Sequence, residues 1–161
     1  MGKSTTARQL ANILNNAALI EGDSVDSMLI GKEELPWEER LSLTWENILS
    51  LTRNFVHNEF NVVIDYVIET ELDWFCKKNV SDLHAQIRYF VLTAAEDSLI
   101  HRLNERGSGD LIERSLFFLK NQLENCASNR RYLYDTTSKP TPEIVKEMVN
   151  RSDDYQYLFV H

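Results

Sequence analysis

The sequence predicts an α/β layer fold, in which short buried strands alternate with longer amphipathic helices. Three observations predict it. Residues 61–67, Asn-Val-Val-Ile-Asp-Tyr-Val, are β-branched and almost continuously apolar, as expected of a strand buried on both faces of a parallel sheet. Similar short runs stand at 18–20 and 87–92. Between these runs lie stretches with apolar residues at helical spacing, the longest at 37–59.

The elements follow in order. Residues 3–15 read as a helix, with Ala7, Leu10, Ala11 and Leu14 on one face. The strand at 18–20 ends in Glu21-Gly22-Asp23, and a short helix is expected over 24–30, then a turn to Pro36. The helix at 37–59 takes its apolar stripe from Leu41, Leu43, Ile48, Leu51 and Phe55. After the strand at 61–67 come a helix at 71–79, a strand at 87–92 and a helix at 95–104. Arg106-Gly107-Ser108-Gly109-Asp110 is a flexible break. A helix at 111–127, an extended segment at 132–134, a helix opening at Thr141-Pro142-Glu143 and a short strand at 157–160 complete the chain. Trp37, Trp45 and Trp74 sit at helical spacing and are expected in the core.

The 161 residues suit one domain spanning 1–161. Apolar residues make up 43% and charged residues 26%, enough for a substantial core. Net charge is −8 and the pI near 5.0, which argues against a nucleic-acid binder working by bulk charge. Cys76 and Cys126 lack zinc spacing and read as free thiols. His57, His84, His101 and His161 form no metal or triad pattern. No apolar run reaches the roughly 20 residues of a membrane helix, and no signal-peptide core is present. The expected location is cytoplasmic, with neither membrane nor nucleic acid as partner.

The chemistry is announced by Gly2-Lys3-Ser4-Thr5. These residues match the end of a Walker A loop, G-x-x-x-x-G-K-[ST], ahead of a helix. Such a loop cradles phosphates with backbone N–H groups. Lys3 would reach the β- and γ-phosphates, Ser4 would place its hydroxyl on Mg²⁺, and Thr5 would lie near the α-phosphate. The alternative is an ordinary helix start with Ser4 as its cap. The strand and first glycine that should precede the loop are absent, so the chain reads as truncated or started late, with weakened nucleotide affinity expected. That strand is normally central, and its loss would leave the strands around Val62 and Tyr89 flanking a gap.

Gly2 to Thr6, Ile20-Glu21-Gly22-Asp23, Pro36-Trp37, the run 43–48 (Leu-Thr-Trp-Glu-Asn-Ile) and Val62-Val63-Ile64-Asp65-Tyr66 together resemble a family of small bacterial P-loop kinases. These are gluconate-kinase-like or AAA-family ATP-binding proteins, similar more distantly to shikimate kinase, chloramphenicol phosphotransferase and adenylate kinase. The resemblance implies a nucleoside-kinase-like P-loop NTPase, a three-layer αβα parallel sheet lacking here its first, central strand. It implies ATP and Mg²⁺ as cofactors, and a small-molecule hydroxyl as phosphoryl acceptor.

Carried over by position, Asp23 becomes the catalytic base and a substrate contact, just past a strand's C-terminal end. Its alternative is the cap of the 24–30 helix. Asp65 follows Val-Val-Ile as a Walker B aspartate does, and would hold Mg²⁺ through water; its alternative is capping a turn. Glu21 is a weaker candidate behind Asp23. A lid over 102–115 would carry Arg102, Arg106 and Arg114 to the phosphates, with Arg106 stabilising the transferring group. Arg130 or Arg131 would stack on the adenine. Solvated surface positions are the alternative for all five arginines. Trp37 and Arg40 stand where the acceptor would enter. Two other functions fit the same residues: nucleotide binding with weak or no catalysis, and a kinase of the antibiotic-resistance or toxin type.

Overall fold

A computed structural model of the chain describes residues 2–31, 35–67, 71–83, 85–120 and 127–157. It is a mixed α/β structure whose strands are short and whose ladders are parallel. The residues group into two compact units, one formed by Ser4–Ile87, the other by Arg88–Tyr157 together with residues 2–3.

In the first unit, helix α1 (Lys3–Ile13) leads into strand β1 (Ala17–Glu21). Asn16 makes the turn in the left-handed region, at φ 48°, which asparagine tolerates better than most residues. The Asn16 carbonyl accepts the Asn61 N–H at 2.7 Å, and the Asn61 side chain donates to the Asn15 carbonyl at 2.7 Å. These bonds set the register of β1 with strand β2 (Asn61–Asp65), from Ala17 opposite Asn61 to Glu21 opposite Asp65. The connection between the two strands runs through helices α2 (Gly22–Asp26) and α3 (Trp37–His57). Helix α4 (Glu71–Leu83) follows β2.

The buried face of α3 is Leu41, Thr44, Trp45, Ile48, Leu49 and Thr52. That is strict i, i+3, i+4 spacing. The predicted stripe members Leu43 and Leu51 are exposed instead, at 37% and 38%. Hydrophobicity pointed to them, but Leu43 stands two residues from Leu41 and Trp45, and Leu51 two from Leu49, an offset that turns a helical side chain away from the buried face, and threonines occupy the correct phase. Trp45 is buried, in edge contact with Phe75 on α4 at 5.0 Å, and its indole N–H donates to the Val67 carbonyl at 3.2 Å. Trp37 and Trp74 lie largely at the surface, contrary to expectation. Cys76 is fully buried, and burial pushes its thiol up to about 12, so it is an inert packing residue. Cys126 lies outside the described residues.

In the second unit, strands β3 (Val91–Thr93) and β4 (Leu133–Asp135) pair in parallel, Val91 opposite Leu133. The expected strand at 87–92 is reduced to its end. Arg88 makes only an antiparallel bridge to Gln156, and the Tyr89 N–H donates to the Tyr155 carbonyl at 2.9 Å. Phe90 stacks on Tyr155 with centroids 4.3 Å apart, so aromatic packing rather than a ladder holds this stretch. Helix α5 (Glu96–Glu105) packs on helix α6 (Ile112–Lys120) through Leu99, Leu103 and Leu119, flanked by Ile112 and Leu116.

Further departures are local. The helix expected over 111–127 is a 3-10 turn at Gly109–Leu111, then α6, with 121–126 outside the described residues. Tyr132 ends a 3-10 stretch, Ala127–Tyr132, which shifts the extended segment to β4. Helix α7 (Thr141–Asn150) opens with Pro142 in its first turn, as predicted. An unforeseen 3-10 turn, Ser152–Tyr155, follows it. The strand expected at 157–160 lies almost wholly outside the described residues. Among the described residues β2 pairs only with β1, and β3 only with β4.

Candidate active site

Parallel pairing puts the C-terminal ends of β1 and β2 side by side, and Glu21 and Asp65 are the last residues of each, in register. Asp23 follows two residues beyond Glu21. Open α/β sheets bind ligands at such strand ends, because the loops that leave them are free to vary. Asp65 is buried, at 5% exposure, whereas Asp23 is solvent-exposed.

Helix α2 begins at Gly22, two residues before the predicted start, because Glu21 rather than Asp23 takes the cap position. Asp23 lies inside the first turn. Capping therefore does not occupy its carboxylate, and a negative charge is favourable at that end of a helix. Gly22 is required by packing: a β-carbon there would lie 2.1 Å from Cγ of the Tyr66 ring. Gly22→Ala is expected to lower stability by roughly 1–3 kcal/mol through overpacking, measured by urea denaturation. A variant as stable as the parent would contradict the packing.

Helix α1 returns to the same strand end. Arg8, in its second turn, donates from Nε to Glu21 Oε1 at 2.8 Å and approaches it with Nη2 at 2.7 Å. This contact ties the first half of α1 to the carboxylate edge of β1. Ser4 and Thr5 are exposed in the first turn of α1, where backbone N–H groups have no helical partner. Because the helix starts at Lys3, Ser4 stands inside it rather than capping it. Gly2 adopts the left-handed region at φ 72°, and a β-carbon on it would lie 4.0 Å from Nη2 of Arg106. The two ends of the predicted phosphate machinery, Gly2 and Arg106, are thus neighbours within one unit.

Arg102, Arg114 and Arg40 have structural occupations. Arg102 donates from Nη2 to the carbonyls of Thr136 and Thr137 at 2.8 and 2.9 Å, fastening the loop after β4 to α5. Arg114 lies over the Phe118 ring, 5.7 Å from its centroid. Arg130 and Arg131 are exposed on the 3-10 stretch before β4. Segment 102–115 is not a loose flap: its helices share the leucine core described above. Arg40 forms a two-point ion pair with Asp26, Nε to Oδ1 at 2.6 Å and Nη2 to Oδ2 at 2.7 Å. Trp37 is exposed at the start of α3.

Sequence reasoning did not single out Arg8, Asp26, Thr44 or Tyr66. Thr44 donates to Asp26 at 3.3 Å, and the Tyr66 ring lies against Gly22. The Arg40 guanidinium holds the Asp26 carboxyl below its ordinary range, while burial pushes the Tyr66 phenol up. Fourteen and eighteen residues separate Asp26 from Arg40 and Thr44, a spacing that no local pattern reveals.

No protein family matches this chain, and no curated protein does. Among solved structures, the tunicamycin resistance protein of Deinococcus radiodurans is similar, with a TM-score of 0.59 at 15% identity. The match covers 96% of this chain and 93% of that one. The two share a fold. At that identity nothing more than the fold is shared by demonstration. No helix among the described residues is long and apolar enough to cross a membrane.

Proposed function

We propose that this protein is an ATP-dependent phosphotransferase acting on a hydroxyl of a small molecule, built on a P-loop kinase plan. The observation that carries the reading is the strand-end arrangement: Asp65 beside Glu21, Asp23 just beyond, and α1 drawn to the same edge by Arg8. The Gly2-Lys3-Ser4-Thr5 sequence at the start of that helix supports it.

The donor set suits Mg²⁺. A serine hydroxyl and a carboxylate are hard oxygen ligands, and no cluster of three His, Cys, Asp or Glu among the described residues forms an all-protein cage. Mg²⁺ is usually bound by one or two such groups together with water and phosphate oxygens. Ser4 and Asp65 would hold it, and it would supply neutralisation of phosphate charge. Lys3 binds the β- and γ-phosphates. Thr5 binds near the α-phosphate. Asp23 accepts the proton of the acceptor hydroxyl as that oxygen bonds to the γ-phosphorus and the bond to the ADP oxygen breaks. Arg106, beside Gly2, stabilises charge on the moving group. Arg130 or Arg131 contacts the base. Arg40, through its ion pair with Asp26 of α2, is a support for the site.

The name of the structural neighbour favours one refinement, a kinase of the antibiotic-resistance type. The test is transfer of labelled γ-phosphate from ATP to a panel of sugars, nucleosides and hydroxylated antibiotics. A labelled small-molecule product supports the reading. ATP binding without transfer to any acceptor would favour a nucleotide-binding module instead.

A further inference from the structure

Helix α2 has only five residues, Gly22–Asp26, and carries Asp23. A helix that short does not hold itself together; isolated helices below about 12–15 residues are marginal in water. Its cap residue, Glu21, makes no side-chain capping bond. Its conformation must therefore be imposed from outside. Two contacts do this, one at each end. Gly22 is pressed against the Tyr66 ring, where no β-carbon fits. Asp26 is gripped by Arg40 and Thr44 of α3. Between them, Val25 is buried.

Asp26 is a poor choice for helix stability alone. A carboxylate in the last turn opposes the helix dipole. What it gains is the Arg40 fork, which fixes both oxygens and therefore the direction of the side chain. Thr44 adds a third hydrogen bond to the Asp26 carboxylate, at 3.3 Å, from the same helix that carries Arg40.

We propose that Asp26 is a positioning residue which, through the Arg40 fork and Thr44, locks α2 so that Asp23 is presented at the end of β1. This role rests on the phosphotransfer reading above. Asp26 touches neither acceptor nor nucleotide in this account; it acts through α2 on Asp23.

The experiment compares wild type, Asp26→Asn and Arg40→Lys. Asn keeps the size of the side chain, and Lys keeps the charge but not the fork. Two readouts are taken, amide hydrogen exchange at Ser27 and Met28, whose N–H groups close α2 onto Asp23 and Val25, and steady-state phosphotransfer. Both variants are expected to exchange at least about tenfold faster at these amides and to lose about tenfold in kcat, with KM for ATP unchanged. Unchanged exchange in both variants would overturn the clamp. Faster exchange with wild-type kcat would overturn the positioning role. A lysine variant that behaves as wild type would show that charge, not the fork, suffices, and would overturn the fork as the cause. A wild-type chain that transfers no phosphate would overturn the kinase reading and this role for Asp23 with it, a result distinct from the others because it appears before any substitution is made.

Discussion

Asp23→Asn is expected to reduce phosphotransfer by about 10²–10⁴-fold while leaving Mg-ATP binding largely intact. The size follows from the role. An amide cannot take the proton of the acceptor hydroxyl, so the oxygen must attack without general-base help. The separation of binding from turnover follows from placement. Asp23 leaves β1 in the first turn of α2, whereas the phosphate contacts assigned to this chain begin on α1. Asn is close in size to Asp and retains the surface position, so folding is expected to survive. The measurement is kcat for the acceptor that the panel identifies, set beside the ATP-dependent change in melting temperature. Unchanged turnover would remove the base role.

Ile48→Ala carries the largest expected cost in stability. Ile48 has no exposed surface and lies in the centre of the α3 face that packs the first unit. Removing three carbons there loses their transfer energy and leaves a cavity that the neighbouring helix and strand fill only in part. The cost is about 2–5 kcal/mol, read from the midpoint of urea unfolding at constant slope. Leu51→Ala, on the same helix and 38% exposed, is the internal control and is expected to cost much less. Equal losses would mean that α3 buries the face predicted from hydrophobicity alone.

That pair of substitutions marks where the sequence was readable. Period and composition located α3, β1 and β2, because a β-branched run such as Val62-Val63-Ile64 has few other uses. The placement of carboxylates at the strand ends was readable for the same reason: Asp65 closes the best strand in the chain, and Asp23 follows the end of another. The phase of α3 was not readable, because threonines at 44 and 52 are as buried as the aliphatic residues. Their hydroxyls are satisfied by long-range or backbone partners, Thr44 by Asp26 and Thr52 by the Ile48 carbonyl. The extent of β3 was misjudged because Arg88-Tyr89-Phe90 has strand propensity but spends it on an aromatic cluster with Tyr132, Tyr134 and Tyr155. Arginine roles were the least legible. Arg40 and Arg102 look alike in sequence to ligand-binding arginines, and only tertiary partners distant in sequence show that Asp26 and the Thr136–Thr137 carbonyls claim them.

The central claim is that this chain binds a nucleotide at the start of α1 and works on it with the carboxylates at the ends of β1 and β2. The most direct measurement is the melting temperature with and without Mg-ATP, on wild type and on Lys3→Ala. With ATP at about ten times its dissociation constant, binding adds about 1.4 kcal/mol and raises the melting temperature by about 3–6 °C. The account predicts that shift for wild type, its dependence on Mg²⁺, and its loss in Lys3→Ala. No shift at millimolar Mg-ATP, or the same shift in Lys3→Ala, would contradict it.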